Sequence, residues 1–151
     1  MPSFNGQEKP IGIGSDHAGF DRKQYIIKVL EEQGIPYKDF GTYSTESTDY
    51  PDYAHLLAKA VENGECYPGI AICGTGNGIN MTVNKHQGIR AALCWNPELA
   101  YYARAHNDAN ILSLPGRYLS DEETYEILMT FLNTPFEGGR HKRRIQKIPC
   151  G

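Results

Sequence analysis

Hydrophobic and polar positions along the chain follow two rhythms. Short apolar runs stand at residues 11–15, 35–40, 70–73, 88–95 and 110–114, and each reads as a strand. Between them, apolar residues recur at helical spacing. Tyr25, Ile26, Val29 and Leu30 predict a helix over 20–33, stopped by Gly34. Leu56, Leu57, Ala60 and Val61 line the inner side of a helix over 51–63, with Pro51 suited to its first turn. A short helix follows over 79–84. Asn96 caps the next, with Pro97 at its first position and an end near residue 105. Ile127, Leu128, Phe131 and Leu132 face inward from a helix over 121–133, and 137–148 reads as a basic C-terminal helix. Residues 41–49, rich in Ser, Thr and Gly, form a loop.

Strands alternating with helices predict a parallel sheet with helices on both faces. Such sheets bind ligands outside the carboxyl ends of their strands. Asp16-His17, the segment after Cys73, and Arg117 all follow strands. His106-Asn107 instead precedes the fifth strand, at a helix C-terminus.

The most informative stretch is Ile70-Ala71-Ile72-Cys73-Gly74-Thr75-Gly76-Asn77-Gly78. Its glycines permit positive φ and close approach of another molecule. The loop lies between a strand end and a helix start, where unpaired backbone N–H groups face an incoming anion. A thiol in that field ionises more readily than a free one. The alternative is a tight turn around a small buried cysteine. The glycine spacing is not the dinucleotide fingerprint, and no Walker lysine is present.

The remaining polar clusters each carry two readings. Asp16-His17 can contact a sugar or phosphate, or can be a helix cap beside a surface histidine. His106-Asn107-Asp108 suits proton transfer, or ends a helix. Arg140 and Arg144 share one helix face and can grip one phosphate. Ile145 and Ile148 give that helix an apolar stripe for docking on the domain. The alternatives are a solvated basic tail and a nucleic-acid patch, the latter disfavoured because no aromatics interleave with the basic residues. A thiol, a histidine, an amide-lined loop and an arginine pair together suit proton shuttling on a small phosphorylated substrate.

Composition narrows the picture. The 151 residues suit one domain over 11–151, after a polar leader over 1–10 that is expected to be flexible. A net charge of −3 argues against general nucleic-acid affinity. Cys66, Cys73, Cys94 and Cys150 show neither a CxxC pair nor zinc-type spacing with histidine, and read as reduced thiols of a cytoplasmic protein. No apolar stretch approaches the roughly 18 residues of a membrane span.

Several motifs, in their order and spacing, carry a resemblance. They are Gly14-Ser15-Asp16-His17-Ala18-Gly19, Thr48-Asp49-Tyr50-Pro51, Ile72-Cys73-Gly74-Thr75-Gly76, Asn84-Lys85, Gly88-Ile89-Arg90-Ala91, His106-Asn107-Asp108-Ala109-Asn110 and Glu137-Gly138-Gly139-Arg140-His141. With them the chain resembles the ribose-5-phosphate isomerase B family, which includes related galactose- and allose-phosphate isomerases. One departure is Asn77, where that family usually has Ile or Val.

The resemblance implies a three-layer α/β/α (Rossmann-like) domain with a five-stranded parallel sheet in the order 2-1-3-5-4. It implies reversible aldose–ketose isomerisation of a sugar phosphate with no metal and no redox cofactor. Ribose 5-phosphate with ribulose 5-phosphate is the expected pair, and a six-carbon phosphate of allose or galactose is the rival. Cys73 then moves the proton between C1 and C2, Thr75 partners Cys73, and His106 opens the sugar ring. Amides of Gly74, Thr75, Gly76, Asn77 and Gly78 stabilise the enediolate oxygen. Asp16, His17 and Asn107 resemble sugar contacts, and Arg117, Arg140 and Arg144 resemble substrate or phosphate contacts. The resemblance also implies a homodimer, or a dimer of dimers, with a shared site. One subunit gives Cys73 and the basic helix, and its partner gives His106, Asn107 and Arg117. A non-catalytic phosphosugar-binding module is the reading from another class. Retention of both Cys73 and His106 argues against it.

Overall fold

Five parallel strands form one sheet in the order β2-β1-β3-β5-β4. The computed structural model describes residues 9–150; of the leader expected over 1–10, residues 1–8 lie outside the described residues. The inner strands β1 (Ile11–Ser15), β3 (Gly69–Cys73) and β5 (Ile111–Pro115) are buried at every position, Ser15 and Ser113 included, as strands covered on both faces are. The edge strands β2 (Tyr37–Asp39) and β4 (Ala91–Leu93) are shorter than the apolar runs that contain them. Each has a single neighbour and pairs only from Ile11↔Tyr37 to Ile13↔Asp39, or from Ala91↔Ile111 to Leu93↔Ser113. Ile35 lies outside β2 because its amide closes the preceding helix on Leu30 O at 2.9 Å.

Helices cover both faces. On one side α1 (Phe20–Glu32), α4 (Pro97–Ala105) and α5 (Asp121–Asn133) pack over Ile70, Ile72, Leu112 and Leu114. On the other, α2 (Tyr50–Glu62) and α3 (Asn77–Val83) pack over Ala71, Cys73 and Ile111. Alternation along β3 thus turns Cys73 toward the α2/α3 face. Asn96 caps α4 as its sequence predicts, its side chain accepting from Leu99 N at 2.9 Å. Ser120 and Glu123 form a capping box on α5, and those hydrogen bonds hold the Glu123 carboxyl below its usual range.

The C-terminal helix departs from its sequence reading. α6 (Arg140–Ile145) starts three residues late, because Gly138 and Gly139 take φ of 75° and 61°. Nor does an Ile145/Ile148 stripe dock it. Ile148 is 55 % exposed, and the buried residue of α6 is His141. Among the described residues no helix is long and apolar enough to cross a membrane.

Candidate active site

The chain runs outward from β1 to β2, then crosses back so that β3 lies on the other side of β1. That reversal opens a crevice at the carboxyl ends of β1 and β3. Asp16 sits there, 6 % exposed; its amide donates to Ile72 O at 3.3 Å and its carboxylate accepts from Gly19 N at 3.0 Å. His17 is clasped by Thr48. The backbone N–H of His17 donates to Thr48 Oγ1 at 3.1 Å, and the Thr48 N–H points at His17 Nδ1 at 3.1 Å. The Thr48 carbonyl is also near, at 3.2 Å, but two opposed N–H groups would repel, so Nδ1 accepts. The neutral ring then carries its proton on Nε2, a donor free for a ligand. A cleft of about 570 Å³ opens here, lined by Asp16, His17, Thr48 and Tyr50.

Cys73 ends β3 beside Pro115 and is 4 % exposed. Behind it Gly76 turns the chain into α3 with φ of 79°; a Cβ there would fall 2.4 Å from Leu93 Cδ1 and 3.0 Å from the Leu114 carbonyl carbon. Tyr50 covers Gly78, with Cζ 2.5 Å from where a Cβ would stand. Thr75 Oγ1 accepts from the Asn77 N–H at 3.2 Å. The hydrogen bond found for Thr75 is therefore to Asn77 and not to Cys73, and one loop amide is already engaged. Arg117 lies over Gly74, its amide donating to Gly74 O at 3.0 Å. A second cleft of about 620 Å³ runs from Thr75 and Asn77 to the exposed rings of Trp95 and Tyr118. Burial pushes the Cys94 thiol up to about 12 and raises Cys66 as well, which makes both inert.

His106 follows α4, its side chain 34 % exposed. The next residues form a fixed corner. Asp108 takes a φ of 46°, its carboxylate accepts from Arg104 at 2.8 Å, and its carbonyl accepts from Arg90 at 2.9 Å. Glu137 N–H donates to Ala105 O at 3.0 Å, which pins the C-terminal segment against the end of α4. His141 therefore stacks on His106, with centroids 4.2 Å apart and planes 14° apart. Burial lowers the His141 pKa, and the neighbouring His106 and Arg140 charges lower it further. Arg140 and Arg144 are exposed one turn apart on α6, and Asn107 is exposed at the corner.

The candidate residues thus fall into two groups within one chain. Asp16, His17, Cys73, Gly74, Thr75, Gly76, Asn77, Gly78 and Arg117 stand at the carboxyl edge of the sheet. His106, Asn107, Arg140 and Arg144 stand at the amino edge, before β5. The five residues of β5 between them span roughly 17 Å at about 3.3 Å each. This corrects the expected grouping in two places. Arg117 accompanies Cys73 because it follows β5. The basic helix accompanies His106 because Glu137 and His141 fasten it there.

Comparison with known proteins agrees with this architecture. The model of the Ribose/Galactose Isomerase family matches residues 11–148. The chain belongs to that family. The ribose-5-phosphate isomerase B of Escherichia coli (strain K12) is 45 % identical over 140 residues, covering 93 % of this chain and 94 % of its own. A ribose 5-phosphate isomerase of Thermotoga maritima superposes with a TM-score of 0.92 at 50 % identity, covering 95 % of this chain and 99 % of its own. The ribose-5-phosphate isomerase B of Mycoplasma genitalium, solved with bound ribulose-5-phosphate, gives a TM-score of 0.88 at 42 % identity, with 94 % and 95 % covered. In this member of the ribose/galactose isomerase family, residue-level reasoning did not single out Thr48 at His17, Tyr50 at Gly78, Trp95 and Tyr118 along the second cleft, or Glu137 and His141 beside His106. Thr48 and Glu137 stand in the motifs that carry the resemblance, but only the fold shows which histidine each one meets.

Proposed function

We propose that this protein interconverts ribose 5-phosphate and ribulose 5-phosphate through an enediolate. The observation that carries the reading is Cys73, buried at the end of a central strand in the crevice where the strand order reverses, with the glycine loop around it. The M. genitalium relative, which carries ribulose-5-phosphate on the same fold, supports the substrate.

His106 opens the ring by moving a proton between the O1 hydroxyl and the ring oxygen. The Cys73 thiolate removes the C2 proton of the open aldose and returns it to C1, while the O2 hydroxyl proton passes to O1, which leaves the C2 carbonyl of the ketose. Charge that develops on the carbonyl oxygen is met by loop amides and the Nε2–H of His17. Arg140 and Arg144 hold the phosphate.

Because Cys73 and His106 stand at opposite edges of the sheet, the complete site needs a second copy of the chain. A two-fold dimer makes two such sites, each with Cys73, His17 and Arg117 from one subunit and His106, Asn107, Arg140 and Arg144 from the other. The enzyme works in the cytoplasm, which suits its free thiols.

The test is turnover of ribose 5-phosphate, allose 6-phosphate and galactose 6-phosphate by the purified protein. Turnover of the pentose is expected. Turnover of a hexose phosphate alone would move the substrate, and tight binding without turnover would make the protein a phosphosugar-binding module.

A further inference from the structure

The cluster beside the basic helix has a chemistry that ring opening does not use. Glu137 Oε1 lies 3.8 Å from His106 Nε2 and 3.8 Å from His141 Nε2, and all three donor atoms fall within 4.8 Å of one another. At 3.8 Å the carboxylate is too far to accept a hydrogen bond from either ring. His141 is 7 % exposed, and its Nε2 is buried with no hydrogen-bond partner among the described residues. A buried imidazole nitrogen without a partner is costly and calls for an explanation.

Two imidazoles and one carboxylate, with a fourth position open to water, form a donor set suited to zinc and its neighbours. Donors around a tetrahedral zinc ion stand about 3.4 Å apart, so each His–Glu distance need close by only a few tenths of an ångström. A bound ion lies in the plane of each ligating ring, and stacked rings cannot share one. One ring has to turn. The His141 side chain is 9 % exposed, so the ring with room to turn is that of His106, which is 34 % exposed and packs against Tyr102 with centroids 4.8 Å apart.

We propose that His106, Glu137 and His141 form a site for a divalent transition-metal ion of the zinc type, and that an ion bound there turns His106 away from the sugar ring and inhibits the isomerase. The inhibition rests on the assignment of ring opening to His106; the binding does not. Arg140 and Arg144, on the same short helix as His141, repel a dication. The site is therefore exchangeable, a place where the enzyme is switched off rather than one that holds a resident cofactor.

Zn²⁺ could also reach the Cys73 thiolate, so binding is measured in Cys73→Ala. After dialysis against EDTA, calorimetric titration of that variant with ZnCl₂ should show one Zn²⁺ per chain. Co²⁺ should give the visible bands of a tetrahedral N/O site. Both signals should vanish in Cys73→Ala/Glu137→Gln and in Cys73→Ala/His141→Gln, with circular dichroism confirming that each variant folds. In the unmutated enzyme, Zn²⁺ should inhibit, EDTA should restore activity, and Glu137→Gln should raise the inhibitory Zn²⁺ concentration about tenfold or more. Absence of Zn²⁺ binding in Cys73→Ala, or binding that survives both substitutions, overturns the site. Binding at the site without inhibition overturns the regulatory role. A protein that binds Zn²⁺ as described but turns over no sugar phosphate keeps the site and loses the proposed function instead.

Discussion

The two edges of the sheet are built differently. The Cys73 edge is made of backbone. Strand ends, a left-handed turn at Gly76 and glycines pressed against Leu93, Leu114 and Tyr50 leave no room for a side chain at Gly76 or Gly78. The His106 edge is made of side chains that meet across the sequence: a stacked pair of histidines, a carboxylate beside them, and arginines holding a corner. Most of those groups are partly exposed. The first edge can position one reacting atom closely; the second presents charge and protons to whatever approaches it. A reaction that needs both must bring one edge of one subunit to the other edge of its partner.

The largest effect is expected at the backbone edge. Cys73→Ala should abolish turnover while the fold and the binding of ribose 5-phosphate persist, because the methyl group fills the same buried position without a base. Circular dichroism and calorimetric binding verify the second half. Turnover near the unmutated level by the folded variant would reassign the base.

The same contrast explains what could be read in the sequence. β1, β3 and β5 are short, largely apolar runs, and α4 and α5 carry side-chain caps, so the sheet and its layers were legible. The position of Arg117 was legible too, since it follows a strand as Cys73 does. It was the family-based grouping that moved it to His106. The start of α6 was hidden, because a basic run at helical spacing masks a turn made by two positive-φ glycines. The burial of His141 was hidden for a different reason. A histidine among arginines reads as surface, and only the Glu137–Ala105 hydrogen bond draws it under His106. Likewise, no spacing rule links Thr48 to His17, because that contact depends on where the 41–49 loop returns.

Mixing inactive variants separates the edges directly. Cys73→Ala and His106→Asn, unfolded together and refolded, should recover roughly a quarter of full activity if pairing into two-fold dimers is random. One site of the heterodimer collects both lesions and the other collects none. The structure sharpens this. Arg140→Ala keeps its kcat, so with substrate well below KM its mixture with Cys73→Ala should also gain activity, because their lesions lie on opposite edges. Cys73→Ala with Arg117→Ala should not, because those two share an edge. Recovery with Arg117→Ala, or none with His106→Asn despite heterodimers seen by mass spectrometry, would refute the grouping.

A smaller effect is expected from the arginines singly. Arg140→Ala and Arg144→Ala each remove a charge-assisted phosphate contact from an exposed helix. Each should raise KM about tenfold, with kcat changed far less. An unchanged KM in both variants would make α6 a solvated basic tail.

The smallest effect compares the packing of the two edges through one glycine from each. Gly76 and Gly138 have nearly equal φ, 79° and 75°, so alanine meets a similar backbone penalty at both, about 1 kcal/mol. Their surroundings differ. At Gly76 the new methyl group meets Leu93 Cδ1, which can yield, and the Leu114 carbonyl at 3.0–3.1 Å, which is part of a central strand and cannot. At Gly138 nothing stands within 4 Å. Gly76→Ala should therefore cost about 1 kcal/mol more than Gly138→Ala, with overpacking added to strain. Urea unfolding of both variants measures the difference. Each should retain its m-value, and Gly76→Ala should have the lower midpoint. Equal midpoints would mean that the Cys73 loop yields as freely as the turn before α6. The argument that the first edge is fixed by backbone and the second by side chains would then fail.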